Sequence, residues 1–347
     1  MDELYLQLRI KDIIKETPDA FTYRFENKIQ YQAGQFLTFL ITLRGTEYRR
    51  SYSFSSTPGI DEYPAVTIRE KENGEISRHI LRNWKTGDIL TAIQPSGRFT
   101  LETSTSPRDI FLLGAGSGIT PLFSLLKQIL YTEPTAHVKL VYSNATHERT
   151  IFYKQLQKLE SQYKDKLHIM YLFSSDPPED KITYRRLSNL LLEPLVNDQM
   201  RFNAADAQFF ICGPPDYMRM IMLTLTFMGF EEGQLHKENF VVNTSPQLAR
   251  MGTPDDKSIK QVTLKTKTGE HHLSVPGNMT ILNAAMAHGI TLPYSCRGGV
   301  CGSCTARCSE GKIWMAWNEV LTDKEIAQGF ILTCTSYPVS AAVKIEL

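Results

Sequence analysis

Cys296-Arg297-Gly298-Gly299-Val300-Cys301-Gly302-Ser303-Cys304, followed by Cys334 after 29 intervening residues, is the most informative stretch of the 347-residue chain. The spacing Cys-x4-Cys-x2-Cys with one distant Cys is the plant-type spacing for a 2Fe–2S cluster. Such a cluster needs four thiolates converging on two irons and backbone N–H groups able to hydrogen-bond the sulfides. Gly298, Gly299 and Gly302 permit the tight loop this requires. A structural zinc site is the alternative; zinc sites usually pair two short Cys knuckles, whereas Cys334 stands alone. Cys301, Cys304 and Cys308 also share part of a bacterial-type cluster run. That run needs a Cys three positions before Cys301 and a Pro after the last Cys, where Gly298 and Ser309 stand. Cys308 continues a predicted strand, Thr305 to Cys308, and reads as a small buried apolar residue.

Five of the six cysteines fall in the last 52 residues, which confines the cluster to a C-terminal module. Ile259 to Lys267 and His271 to Val275 resemble a hairpin, and Thr280 to His288 reads as a helix closed by Gly289. Upstream, Asn243 to Ser258 is polar, with two prolines and a glycine, and reads as an interdomain linker.

The block before that linker alternates strands and helices. Asp109 to Leu113 is a predicted buried strand, followed by Gly114-Ala115-Gly116-Ser117-Gly118-Ile119-Thr120-Pro121 and an amphipathic helix to about Tyr131. Val138 to Tyr142, His168 to Phe173 and Gln208 to Cys212 are further strands. This pattern predicts a doubly wound parallel sheet. The glycines let a pyrophosphate approach the backbone at a helix N-terminus, although the third glycine comes one residue early for G-x-G-x-x-G. A tight strand-to-helix turn is the alternative. Cys212-Gly213-Pro214-Pro215 ends another strand and belongs on the same carboxyl edge, where such sheets bind ligands.

The first ~100 residues read as all-β, at a domain size typical of ~100–200 residues. Leu4, Leu6, Leu8 and Ile10 alternate with Tyr5, Gln7 and Arg9, and Phe21, Tyr23 and Phe25 repeat the period. Phe36 to Leu43, Ala65 to Glu70 and Asp88 to Ile93 are further short strands between glycines, which suggests a barrel or sandwich. Arg50-Ser51-Tyr52-Ser53 ends one strand, and Gly74-Glu75-Ile76-Ser77 opens a helix. An arginine and a helix N-terminus can share a diphosphate, a tyrosine can stack on a flat ring, and a serine can bond a ring nitrogen. Together these would hold a flavin dinucleotide; singly they fit an ordinary strand and turn.

Composition limits the function classes. Lys and Arg total 38 against 37 Asp and Glu, a net charge of +1, without the basic excess of a generic nucleic-acid binder. No apolar run reaches the ~18 residues of a membrane span. The start Met1-Asp2-Glu3-Leu4 lacks signal-peptide character, so a cytoplasmic protein is expected. The eight histidines show no metal spacing. Trp314-Met315-Ala316-Trp317 suits core packing, with a partner surface as the alternative.

Taken in order, these motifs resemble the ferredoxin–NADP reductase-type flavoproteins fused to a C-terminal plant-type ferredoxin domain, as in the phenylacetyl-CoA epoxidase reductase subunit and similar oxygenase reductases. The resemblance covers nearly the whole chain. It implies a multidomain architecture: an FAD-binding antiparallel β-barrel over 1–104, an NAD(P)-binding α/β domain over 105–242, the linker 243–258, and a β-grasp iron–sulfur domain over 259–347. It implies that Arg50 binds the FAD diphosphate, that Tyr52 packs on the isoalloxazine and that Ser53 faces its N5. Ser51, Ile68, Arg69, Gly74, Ile76 and Ser77 complete the implied FAD set. Gly114, Gly116, Ser117, Gly118 and Thr120 would hold the nicotinamide dinucleotide, with Cys212, Gly213 and Pro214 lining the nicotinamide pocket. Glu238-Asn239-Phe240 resembles the family's Glu-x-Phe segment, whose aromatic lies against the flavin. Ser53, Thr120, Cys212 and Glu238 are the implied catalytic set, and Cys296, Cys301, Cys304 and Cys334 the cluster ligands.

Relatives often carry an Asn-Arg pair after the second strand of the nucleotide domain; here the segment is Tyr142-Ser143-Asn144-Ala145-Thr146. Arg185 and Arg186 are candidate substitutes, so NADH and NADPH both stay open. The implied activity is electron transfer from NAD(P)H through FAD to the cluster and on to an oxygenase, hydroxylase or desaturase partner. Ordinary plant-type clusters lie near about −400 mV, low enough for a demanding acceptor. A self-contained reductase of a small molecule and a redox-sensing iron–sulfur protein are the competing readings.

Overall fold

The computed structural model describes residues 5–175, 186–240, 254–266 and 269–347, in two compact units, Met1–Phe240 and Val241–Leu347. Leu4, Arg185 and residues 243–253 of the expected linker lie outside the described residues.

In the first unit, β1 (Tyr5–Thr17), β2 (Ala20–Phe25), β3 (Phe36–Leu43), β4 (Thr46–Ser53), β5 (Ala65–Arg69) and β6 (Ile89–Ser96) pair antiparallel in the order β4-β3-β6-β1-β2-β5. Phe54, immediately after β4, bridges to Val66 of β5, so the two ends of that order meet and the sheet closes like a barrel. Period-2 alternation turns Leu8, Ile10, Tyr23, Phe25, Leu37 and Phe39 into the interior. Helix α1 (Glu75–Asn83) covers this core with Ile76 and Ile80, one turn apart.

The same unit continues into a five-stranded parallel sheet: β7 (Asp109–Ala115), β8 (His137–Asn144), β9 (Leu167–Phe173), β10 (Gln208–Cys212) and β11 (Leu235–Glu238), in the order β11-β10-β7-β8-β9. Both faces are covered. Ile110 and Leu112 pack with helix α2 (Ile119–Thr132), while Phe111 and Leu113 join the other core with the helix Pro215–Phe227. The strand order reverses between β7 and β10, so the switch point lies between the ends of those two strands. Ala20, Ala33 and Phe99 of the first block share a core with α2, which ties the barrel to the parallel sheet. The four-residue β11 was not expected from sequence: Leu235 is its one apolar residue, so it has no readable period. At the opposite edge, His137 is buried and its Nδ1 lies 2.9 Å from Asp109, which also accepts the Arg201 and Phe202 amides.

The second unit holds a mixed sheet of β12 (Ile259–Thr266), β13 (Gly269–Pro276), β14 (Thr305–Glu310), β16 (Phe330–Leu332) and β18 (Ala342–Glu346), in the order β13-β12-β18-β14-β16. The short ribbon β15 (Ile313–Met315) with β17 (Ser336–Pro338) stands beside it. The helix Ile281–Ala287 packs Ile281, Leu282 and Ala285 onto Val262, Leu264 and Ile345. Thr280 caps it by accepting the Asn283 amide.

Two expectations need correction. Cys308 is half-buried rather than buried, because β14 pairs on both sides yet leaves its thiol at the rim, 3.3 Å from Glu310 O. Trp314 is 39% exposed, because the ribbon lies outside the main sheet and offers only Tyr337 as an aromatic neighbour at 5.6 Å. Among the described residues, no helix is long and apolar enough to cross a membrane.

Candidate redox sites

The glycine turn sits at the switch point, where Gly114 and Cys212 end neighbouring strands as register partners. Gly116 has a φ of 56°, the left-handed conformation that glycine adopts without strain. Gly118 answers a different need: a Cβ there would stand 2.1 Å from Cys212 O. Only a hydrogen fits, and the two strand ends close on each other. Two tyrosines hold the turn from below. Tyr142 Oη donates to Gly116 O at 3.0 Å and Tyr217 Oη to Gly114 O at 3.2 Å. Thr120, in the first turn of α2, is buried and donates to Ser117 O at 3.1 Å. Pro214 precedes the helix Pro215–Phe227 and Pro215 opens it, where a missing N–H costs nothing. A backbone surface without side chains, opening a helix, fits a dinucleotide phosphate.

The flavin-side residues meet the same edge. Ser53 ends β4, is buried, and donates from Oγ to Glu238 Oε2 at 2.9 Å. Glu238 ends β11 directly beside Cys212 in register. Burial pushes its carboxyl up to about 8, against the opposing pull of the Ser53 hydrogen bond. Burial, with the nearby Glu238, also raises the Cys212 thiol. Thus Ser53, Cys212 and Glu238 come together from three strands, and Gly118 brings the start of α2 against them.

The other implied FAD residues are spread along β4, β5 and α1. Tyr52 is half-buried, 6.2 Å from the Phe39 ring, and burial raises its hydroxyl. Arg50 is exposed; Nη1 donates to Arg49 O at 2.8 Å. Ser51 shares a 2.8 Å hydrogen bond with Thr38. Gly74 precedes α1, where a Cβ would lie 2.7 Å from Ser77 Oγ and 2.9 Å from Lys71 O. Ser77 Oγ accepts the Lys71 amide at 3.0 Å. Ile68 and Ile76 point into the barrel core, so they can offer a cofactor only backbone. Arg69 turns toward the glycine turn: Nη1 lies 3.4 Å from where a Cβ on Gly116 would be. It pairs with Asp19, which also binds Arg149. Phe240 is 44% exposed.

In the second unit the four expected thiols converge. Cys304 Sγ lies 3.2 Å from Cys334 Sγ, and Cys296 is within hydrogen-bond reach of Cys301 and Cys334. The Gly298 amide donates to Cys296 Sγ at 3.4 Å. Gly299 and Gly302 both have φ of 72°; Arg297 also takes a left-handed φ, 55°, which the sequence did not signal. A Cβ on Gly299 would stand 2.7 Å from Trp317 O. Four thiols with inward-facing amides fit a 2Fe–2S cluster. Among the described residues, no three His, Cys, Asp or Glu close around a single metal-ion position.

Asn144 is buried at the end of β8, in the segment where relatives often carry Asn-Arg, and Arg186 is exposed. Asp61 and Lys127, absent from the expected set, join the barrel to α2; the lone cation inside Leu122–Leu130 was the available signal.

Three family models match in chain order: an oxidoreductase FAD-binding domain over residues 7–101, an oxidoreductase NAD-binding domain over 112–222, and a 2Fe-2S iron-sulfur cluster binding domain over 265–339. The chain is 32% identical to the ferredoxin reductase component of 3-ketosteroid-9-alpha-monooxygenase from Rhodococcus rhodochrous, over 98% of this chain and 96% of that protein. It is 28% identical to one of the subunits of 1,2-phenylacetyl-CoA epoxidase from Escherichia coli, over 98% of this chain and 96% of that protein. Among solved structures, phthalate dioxygenase reductase aligns with a TM-score of 0.59 at 21% identity, covering 99% of this chain and 98% of that one. An intact type IV self-sufficient cytochrome P450 monooxygenase aligns with a TM-score of 0.72 at 19% identity; this chain spans 41% of its length.

Proposed function

The chain belongs to the family of oxygenase ferredoxin-reductase components, and from that premise we propose that it draws electrons from NAD(P)H and delivers them singly to a separate oxygenase, hydroxylase or desaturase. It is an oxidoreductase with FAD-binding, NAD-binding and 2Fe–2S domains on one chain. Relatives named as reductase components of monooxygenases support an oxygenase as the acceptor. When bound, nicotinamide supplies a hydride, flavin splits the electron pair, and the cluster relays single electrons.

The carrying observation is the Ser53–Glu238 contact beside Cys212 at the switch point. Ser53, Thr120, Cys212 and Glu238 form the proposed catalytic set. Burial raises the Glu238 carboxyl to about 8, which favours its protonated form at neutral pH. Gly118 and Gly213 let the glycine turn and the end of β10 pack against each other, which shapes the nicotinamide pocket that Thr120 closes from α2. Arg50, Ser51, Tyr52 and the α1 N-terminus at Gly74–Ser77 are proposed to hold FAD. Cys296, Cys301, Cys304 and Cys334 are the proposed cluster ligands. A cytoplasmic location belongs to the same reading, in which four of the six cysteines serve a cluster and not a disulfide framework.

Cys304→Ser tests the path. The variant keeps flavin reduction by NAD(P)H and loses cytochrome c reduction. A normal cytochrome c rate in that variant would show that electrons leave without the cluster.

A further inference from the structure

Helix α2 presents Thr120, Phe123, Ser124 and Lys127 at i, i+3, i+4 and i+7, one face of the helix. A stripe of this kind facing another domain is normally apolar. Here three of its four residues are polar, and all are buried; Lys127 is only 8% exposed. The partners of Ser124 and Lys127 lie just beyond Ser53, at Ser55, Ser56, Thr57 and Asp61. Lys127 Nζ donates to Ser55 O at 3.0 Å and pairs with Asp61 at 2.5 Å. Ser124 Oγ donates to Ser56 O at 2.5 Å, and Thr57 Oγ1 donates to Ser124 O at 2.8 Å. Asp61 also accepts the Thr57 amide at 2.6 Å. Phe123 lies beneath the ammonium, 4.4 Å from Nζ to ring centroid.

Burying a lysine ammonium is a poor way to gain stability even with a partly exposed carboxylate such as Asp61 as its partner, because its desolvation offsets the attraction. What such a pair does supply is a unique register. An apolar seam could slide, whereas a cation held by one carbonyl and one carboxylate cannot. Lys127 sits two turns along the helix from Thr120, about 10 Å, and grips the strand extension two residues past Ser53.

We propose that Lys127 is a positioning residue for hydride transfer: gripping Ser55 and Asp61, it sets the register of Thr120 and the glycine turn against Ser53. This rests on the nicotinamide-to-flavin reading above. Misplacement by ~1 Å between reacting groups can lower rates on the order of 100-fold, so a register shift has a large kinetic effect and a small one on affinity.

The test is anaerobic stopped-flow flavin reduction by NADH and NADPH, with FAD content and thermal midpoint, on the full-length holoprotein. The variants are Lys127→Met, Asp61→Asn and the double variant. Lys127→Met strands Asp61 without its partner and lowers both the thermal midpoint and the limiting rate. The double variant recovers the midpoint and keeps its FAD, yet its limiting reduction rate stays on the order of 10-fold or more below wild type, with nucleotide affinity changed far less. Asp61→Asn alone, at a half-exposed side chain, lowers the limiting rate in the same direction and keeps the test available if the methionine variants do not fold. A wild-type limiting rate in either the folded double variant or Asp61→Asn overturns the proposal. Failure of both nucleotides to reduce the wild-type flavin overturns the underlying functional reading instead.

Discussion

Ser53 Oγ donates to Glu238 Oε2 at 2.9 Å, joining the end of a barrel strand to the end of a parallel-sheet strand 185 positions away. Ser53 is buried and Glu238 half-buried, and Cys212 lies beside Glu238 in register. The contact places a polar pair where the two halves of the first unit meet.

Glu238→Gln tests the charge state of that pair. The carboxyl titrates near 4.5 when exposed and near 8 in the fold. Below about pH 4.5 it is protonated in folded and unfolded chains alike. Between 4.5 and 8 only the unfolded chain releases the proton, so folding stability falls across that window and levels off above it. The glutamine variant removes this contribution. Thermal melts from about pH 5 to 9 therefore show a shallower decline for Glu238→Gln than for wild type; parallel curves would mean that the carboxyl is ionised in the fold.

Gly118→Ala tests the closure of the switch point. Its Cβ would stand 2.1 Å from Cys212 O, backbone that cannot swing aside. Nicotinamide-nucleotide affinity falls by roughly tenfold or more, about 1.4 kcal/mol, while FAD content is retained. Titration of the variant with NADH and NADPH at wild-type affinity would contradict the assignment of this turn.

Tyr52→Ala tests the flavin side. Loss of a stacked aromatic face is worth about 1 kcal/mol or more, so FAD dissociates several-fold more readily and its visible bands shift. Ultrafiltration of the variant measures the retained flavin; unchanged retention and an unchanged spectrum would remove Tyr52 from the binding set.

Much of this was legible in the sequence because periodicity and spacing survive folding. The Cys296–Cys304 loop, the glycine turn after β7 and the alternation in β1 and β2 all read directly. β11 did not, since four residues with one apolar member carry no period, and yet it delivers Glu238. The family resemblance, not the pattern, pointed to that residue. The resemblance placed Arg69 in the FAD set and gave no sign that it reaches Gly116, because that approach depends on how the barrel packs against the sheet. Lys127 and Asp61 were missed for the same reason: 66 residues separate them, and neither belongs to a motif. Trp314 misled, because an aromatic at the end of a strand reads as core until the ribbon is seen to stand apart.

The measurement that bears most directly on the central claim is the visible spectrum of the purified protein during anaerobic titration with NADH and then NADPH. Flavin bands over a broad iron–sulfur absorption, both bleaching with at least one nucleotide, are the predicted result, and the nucleotide that acts identifies the donor. A colourless protein carrying stoichiometric zinc would contradict the flavin, the cluster and the reductase function together.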